Sequence, residues 1–237
     1  MTFFDITVYF DIICPWCFIG HRTLDQAIDL YQRTYPDGRY DTFKFTFHPY
    51  YLDMSYLGAA ASNPGVQMDK AIAVKNGGNQ VEAIMSRLHR AGQAQGINFD
   101  FDGKTGSSRL SHQLVNLAGE HHGPAMQKRL IESVYSMHFE HGGDITSPSN
   151  LTKAAVDVGL TEDAVRKWLQ DEDAAAAGAK LDEMAAKART NDGVTSVPTF
   201  VINGVRIEGA EDIGTLYETL VEVKGDASLS ERLDKLR

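Results

Sequence analysis

The residues with the clearest chemistry are Cys14 and Cys17, the two cysteines of a 237-residue chain, which bracket Pro15 and Trp16 as Cys14-Pro15-Trp16-Cys17. Two sulfurs about one helical turn apart can close a disulfide on each other, and such a pair can exchange electrons with other thiols. The thiolate is the reactive form, so the surroundings of the sulfur decide its use. Residues 4–13 are rich in Ile, Val, Phe and Tyr and read as a strand. Residues 17–34 read as a helix, with Leu24, Ala27, Ile28 and Tyr31 spaced for one face. Cys14 therefore falls where a strand hands over to a helix, and the unpaired N–H groups and positive dipole end there favour a negative sulfur. Pro15 at the helix start gives up no hydrogen bond. Cys14 is read as the attacking sulfur and Cys17 as its resolving partner.

Two other uses of the sulfurs compete with this one. They could be structural cysteines at an accidental spacing, but the strand-to-helix setting argues against that. They could bind zinc, for which His138 and His141 or the adjacent His121 and His122 are the raw material. Structural zinc usually takes a second local ligand pair at suitable spacing, which these histidines supply poorly. No metal is expected.

The elements that must position the dithiol follow from periodicity. Tyr35-Pro36-Asp37-Gly38 breaks the first helix. Phe43, Phe45 and Phe47 then alternate with Lys44, Thr46 and His48, the period of a half-buried strand. The opening is β-α-β, which predicts a parallel pair joined by a crossover helix. Residues 53–187 read as helix after helix. Starts are expected at Asn63-Pro64, Ser147-Pro148 and Thr161-Glu162, and an Ala-rich helix over 173–189. Near the end, Thr199-Phe200-Val201-Ile202, Asn203-Gly204 and Val205-Arg206-Ile207 form a hairpin signal, since Asn-Gly suits a type I′ turn. A closing helix carries Leu216, Leu220 and Val221 on one side. The predicted class is α/β: a thioredoxin fold with an inserted all-helical domain. Residues 1–52 and 188–225 form the discontinuous thioredoxin-like domain, 53–187 the insertion, and 226–237 a charged C-terminal tail.

In such a fold a second element faces the dithiol. Pro198 follows a small-residue turn at the start of a strand, where proline can adopt the cis form and cannot donate to a ladder. The Val197 backbone is then left free to pair with an extended peptide or glutathione.

The remaining composition excludes more than it selects. A net charge of −9 and the lack of any basic run argue against nucleic acid and anionic membrane as partners. The first ten residues lack the basic start and unbroken apolar run of a secretory signal, and no stretch is long enough to span a bilayer. The expectation is a reducing, cytoplasmic location.

The chain resembles the DsbA-like family, and more closely its branch containing FrnE and 2-hydroxychromene-2-carboxylate isomerase. The resemblance rests on Asp11-Ile12-Ile13-Cys14-Pro15-Trp16-Cys17-Phe18-Ile19-Gly20, His48-Pro49-Tyr50-Tyr51-Leu52, Ser108-Arg109-Leu110-Ser111-His112, and Val197-Pro198-Thr199-Phe200-Val201-Ile202 with Gly209-Ala210. It implies a cis proline at Pro198 and either disulfide exchange or glutathione chemistry. Catalysis would use Cys14, Cys17 and Pro198; Pro15, Trp16 and Val197 would contact substrate. In relatives of the isomerase and kappa-class transferase type, an acid near the later loop holds the γ-glutamyl end of glutathione, a role open here to Glu211 or Asp212, beside the simpler reading of a solvated acid at a helix start. Those relatives carry a single Ser in place of the first Cys, whereas this chain keeps both sulfurs, which favours redox work. Departures from the branch pattern are Ser196 before Val197 and Glu211 after Gly209-Ala210.

The expected function is a thiol–disulfide oxidoreductase acting on a disulfide-containing protein or small molecule, with no tightly bound cofactor and glutathione as a candidate co-substrate; a homodimer is compatible with the sequence. The rivals are a glutathione-dependent isomerase or transferase acting on an aromatic or polyketide-like metabolite, and a non-enzymatic binding protein or chaperone. Asp11 could relay a proton or be a strand-end carboxylate. His48 and His112 could line a cleft or be satisfied structural histidines.

Overall fold

A computed structural model describes residues 1–53, 66–67, 81–170 and 173–234. The first strand, β1 (Phe3–Phe10), buries Phe4, Ile6, Val8, Tyr9 and Phe10, with Phe3 exposed ahead of them and Asp5 exposed between the first two. That pattern suits a strand whose far end is covered on both faces. Helix α1 (Pro15–Thr34) follows with Leu24, Ala27, Ile28 and Tyr31 all buried, as the spacing predicts. A 3₁₀ turn at Gly38–Tyr40 leads into β2 (Thr42–Pro49). β2 pairs with β1 in parallel from Phe3↔Thr42 to Phe10↔Pro49, so the β-α-β opening is present.

The middle of the chain is mainly helical: α2 (Val81–Gln93), α3 (Arg109–His122), α4 (Pro124–Phe139), α5 (Pro148–Asp157), α6 (Glu162–Gln170) and α7 (Asp173–Thr190). Ser147 caps α5, its hydroxyl accepting from Asn150 N at 3.4 Å, and Thr161 caps α6 in the same way through Ala164 N. These are the two helix starts read from Ser-Pro and Thr-Glu. The start expected at Asn63-Pro64 lies outside the described residues. The helical reading needs one correction, because β3 (Val66–Gln67) and β4 (Lys104–Thr105) pair antiparallel as a small second sheet. Two residues per strand are too few to show a period of two in sequence.

The chain returns to the main sheet through β5 (Thr199–Ile202) and β6 (Val205–Glu208). Asn203 and Gly204 take φ values of 46° and 90°, the left-handed pair that a type I′ hairpin requires. Asn203 also fastens the hairpin to β1: its Oδ1 accepts from Asp5 N at 2.7 Å and its Nδ2 donates to Phe3 O at 3.0 Å. The sheet order is β2-β1-β5-β6, with β5 antiparallel to β1. The closing helix α8 (Ile213–Asp234) packs beside α1 and buries Leu216 and Leu220. It runs on into the residues set apart from sequence as a tail.

One cluster of buried apolar side chains runs from the sheet through α1 into the helices. At its centre the Phe18 ring lies 5.1 Å from that of Tyr135 and 6.2 Å from that of Phe139, both on α4. Fully burying one such ring contributes roughly 1.5–3 kcal/mol. The first turn of α1, which carries the dithiol, is thereby held from the sheet side and from the helical side at once.

Candidate active site

The turn between β1 and α1 is built on Asp11, whose side chain is fully buried. Its main-chain carbonyl accepts from Cys14 N at 3.1 Å. Its carboxylate accepts from Ile13 N at 3.4 Å, from Leu52 N at 2.7 Å, and from His112 Nε2 at 3.2 Å. A charge out of water is tolerable only when paired and hydrogen-bonded, and here one turn, one strand end and one helix supply the partners. Asp11 is thus the joint that sets the dithiol on the sheet.

Cys14 is the N-cap of α1, with Pro15 in the first turn and no acidic residue there to repel a negative sulfur. Cys17 N and Phe18 N donate to the Cys14 carbonyl at 3.0 and 3.3 Å. The Cys14 thiol faces the Val197 carbonyl at 3.7 Å. The Val197–Pro198 peptide is cis, and the ladder to β1 begins only at Thr199, opposite Tyr9. Cys14, Cys17, Val197 and Pro198 therefore come together although 180 residues of chain separate the halves. The sulfurs are unbonded and close enough that Cys14 acts on Cys17. Burial first, then the Cys14 side chain, pushes the Cys17 thiol well up, so at neutral pH it carries its proton.

Cys14 keeps only 4% of its surface exposed and Cys17 2%. Pro15 and Trp16, both partly exposed, flank them. Clefts of about 690 and 780 Å³ lie on the helical side, and neither is lined by a cysteine.

Loop residues 209–212 lie beside Pro198, because Gly209 N donates to the Pro198 carbonyl at 2.8 Å. Glu211 and Asp212 are exposed there. Asp212 Oδ1 accepts from Thr215 N at 2.8 Å and caps α8, and that backbone contact holds its carboxyl below the usual range. His112 is buried against Asp11 and lines neither of these clefts. His48 stacks on Tyr9 at 5.0 Å, and burial lowers its pKa. Among the described residues no three His, Cys, Asp or Glu side chains group as metal ligands.

Sequence reasoning missed several neighbours of the site. Arg87 on α2 lays its guanidinium 5.0 Å from the centroid of the Trp16 ring. Tyr135 donates its hydroxyl to the Asp11 carbonyl at 3.3 Å. Arg109 forms a two-pronged contact with Asp182, at 3.0 Å from both Nε and Nη2, and Tyr51 donates to the same carboxylate at 3.0 Å. The Ser108-to-His112 stretch was visible as a motif, but its purpose, docking α3 on Asp11 and Asp182, was not.

The sequence profile of the DSBA-like thioredoxin domain matches residues 5–221. The chain belongs to this family. Among solved structures of the same fold, a probable DsbA oxidoreductase from Streptomyces coelicolor has a TM-score of 0.77 at 23% identity, over 94% of this chain and 90% of that one. A 2-hydroxychromene-2-carboxylate isomerase has a TM-score of 0.66 at 17% identity, over 95% and 98% of the two chains. The cytosolic disulfide reductase DsbM from Pseudomonas aeruginosa, also solved with GSH, has a TM-score of 0.60 at 17% identity, over 97% and 99%. A comparison with curated proteins returns no match.

Proposed function

We propose that the protein is a thiol–disulfide oxidoreductase in which Cys14 attacks a substrate disulfide and Cys17 resolves the mixed disulfide. The observation that carries this reading is the placement of two adjacent unbonded sulfurs at a helix N-terminus, with the outer one 3.7 Å from the Val197 carbonyl. An extended substrate pairing with the Val197 backbone would bring its sulfur to Cys14, while Pro15 and Trp16 form the contact surface alongside. Each turnover moves two electrons from the dithiol to the substrate disulfide and releases two thiols.

Glutathione, or a disulfide containing it, fits as co-substrate. DsbM, a relative of the same fold, has been solved with GSH, and the Arg87 guanidinium beside Trp16 suits a carboxylate. Asp212 is engaged as a helix cap, so Glu211 is the acid we assign to the γ-glutamyl amine. In a reducing, cytoplasmic setting the pair would rest as thiols and the protein would act as a reductase.

The test is the Cys17→Ser variant exposed to oxidised glutathione and analysed by intact mass. A stable glutathione adduct on Cys14 is expected, where the wild type passes on to the Cys14–Cys17 disulfide, and disulfide-reductase turnover should fall on the order of 100-fold or more because resolution is lost. If neither adduct nor internal disulfide forms at any ratio of reduced to oxidised glutathione, the reading fails. A glutathione-dependent isomerase, the second reading, draws on the fold shared with the isomerase, and it predicts that Cys17→Ser keeps nearly full activity.

A further inference from the structure

Oxidising the dithiol requires one proton to leave Cys17, since the thiolate and not the thiol attacks the mixed disulfide. Cys17 is sealed from solvent, with burial and Cys14 holding its proton on. An acceptor inside the protein is needed, and His21 is placed to be one. It stands four residues beyond Cys17 on α1, hence on the same face one turn along. Both side chains wall an internal cavity of about 10 Å³, together with Tyr135, Pro198 and apolar neighbours. That is the room of about one water molecule, and its surface is mostly apolar, with Cys17 and His21 among the side chains that line it.

On its other side His21 reaches the outside. The same residue lines the 690 Å³ surface cleft, and its Nε2 lies 3.7 Å from Glu132 Oε2. His21 itself is 7% exposed, so it forms a partition between the dithiol cavity and the open cleft. Imidazole can take a proton on one nitrogen and give one up from the other, which is the property a partition of this kind needs.

We propose that His21 is the positioning base of the resolving step, taking the Cys17 proton across the internal cavity and delivering it on the Glu132 side. The proposal rests on the oxidoreductase reading above. In balance, Cys14 thiolate attacks R–S–S–R, forming Cys14–S–S–R and releasing one thiolate. The Cys17 proton passes to the His21 imidazole, and the Cys17 thiolate attacks Cys14 Sγ. The Cys14–Cys17 disulfide forms, the second thiolate leaves, and imidazolium returns its proton to water in the cleft.

The charges around the ring suit this cycle. Burial lowers the His21 pKa from its ordinary value, leaving a free base at neutral pH. Asp25 on α1 and Glu132 on α4 stabilise the imidazolium once formed, against Arg22 on α1 and Lys128 on α4. Further along the cleft wall stand Arg129 and His141, and from α5 Lys153 and Asp157.

The experiment mixes the reduced protein with one equivalent of 5,5′-dithiobis(2-nitrobenzoate) and follows release of the coloured thiolate. The first phase reports attack by Cys14 and the second resolution by Cys17. In the wild type the second phase should be nearly level with pH above neutrality, because its base is already unprotonated. In His21→Gln the first phase should be retained, while the second slows about 100-fold and climbs about tenfold per pH unit as hydroxide takes over. A second phase equal to wild type in rate and pH dependence overturns the proposal, and so does equal slowing of both phases, which would mark a packing defect. Glu132→Gln, a change at the cleft surface, tests the same route if the core variant does not fold; it should slow the second phase several-fold, and no change overturns the route. A wild type that releases no second equivalent at all would instead sink the oxidoreductase reading itself.

Discussion

At the scale of the residue, Trp16 between the two cysteines has a charged partner in Arg87. The Arg87 guanidinium lies over the Trp16 ring and the residue is exposed, so it places a positive charge beside Trp16 without a desolvation cost. A single exposed contact of this kind is worth about 1 kcal/mol. Arg87→Gln is therefore expected to lower kcat/KM about fivefold for glutathione disulfide, which carries carboxylates, and to leave hydroxyethyl disulfide unaffected. Steady-state rates with the two substrates decide it, and an equal loss on both would mean that Arg87 only props Trp16. Asp11 shows how far a residue can be read without its partners. The sequence displays an acid three positions ahead of Cys14, which could relay a proton but reads more simply as a strand-end carboxylate. Its contact with His112 spans 101 positions, and neither propensity nor period acts over that distance.

At the scale of the element, the register of α1 against the Pro198 turn is set by the absence of a side chain. A Cβ on Gly20 would stand 2.9 Å from Pro198 Cγ and 3.1 Å from Phe200 Cζ. In an isolated helix Gly20→Ala would gain about 1 kcal/mol of propensity. Here overpacking should outweigh it, for a net loss of about 1–2 kcal/mol, and moving Pro198 should depress the rate of mixed-disulfide formation. Urea unfolding and the first phase of thiol release measure the two effects; a variant more stable than wild type and equally fast would refute close packing of α1 on Pro198. The elements themselves were largely legible. The α1 stripe, the Phe43-Phe45-Phe47 alternation and the Asn203-Gly204 turn are local signals, and local signals survive without tertiary context. What was not legible depends on partners far along the chain: the two-residue strands β3 and β4, the Arg109–Asp182–Tyr51 contact that docks α3 on α7, and the close approach of Pro198 and Phe200 to Gly20. The site was legible as far as the two motifs that form it, but the burial of Cys14, with 4% of its surface exposed, comes from packing that no motif encodes.

At the scale of the whole molecule, the histidines buried neutral make folding depend on pH in mild acid. His138 is fully buried, donates from Nδ1 to the Gly143 carbonyl at 3.0 Å, and has no partner for Nε2 among the described residues. Burial drives its pKa from 6.5 down to about 4. Between those values the unfolded chain binds a proton that the folded one refuses, so stability rises with pH there; the contribution is complete above pH 6.5 and is lost as pH falls toward 4. Its full size is about 3 kcal/mol, of which about 2 kcal/mol should be gone by pH 5. His21 and His48, also lowered by burial, add in the same direction. Asp41, held below the ordinary carboxylate range by Lys224, Thr2 N and Tyr31, begins to contribute only at more acid pH. Urea unfolding at pH 7.5 and pH 5 should therefore show a marked drop in the wild type and a drop smaller by about 2 kcal/mol in His138→Gln. An equal drop in both proteins would mean that His138 is not held neutral by its surroundings. Because His138 lies on the same helix as Tyr135 and Phe139, which clasp the first turn of α1, loosening there in mild acid should reach the dithiol, and thiol release from Cys14 should change over the same pH range in which stability falls.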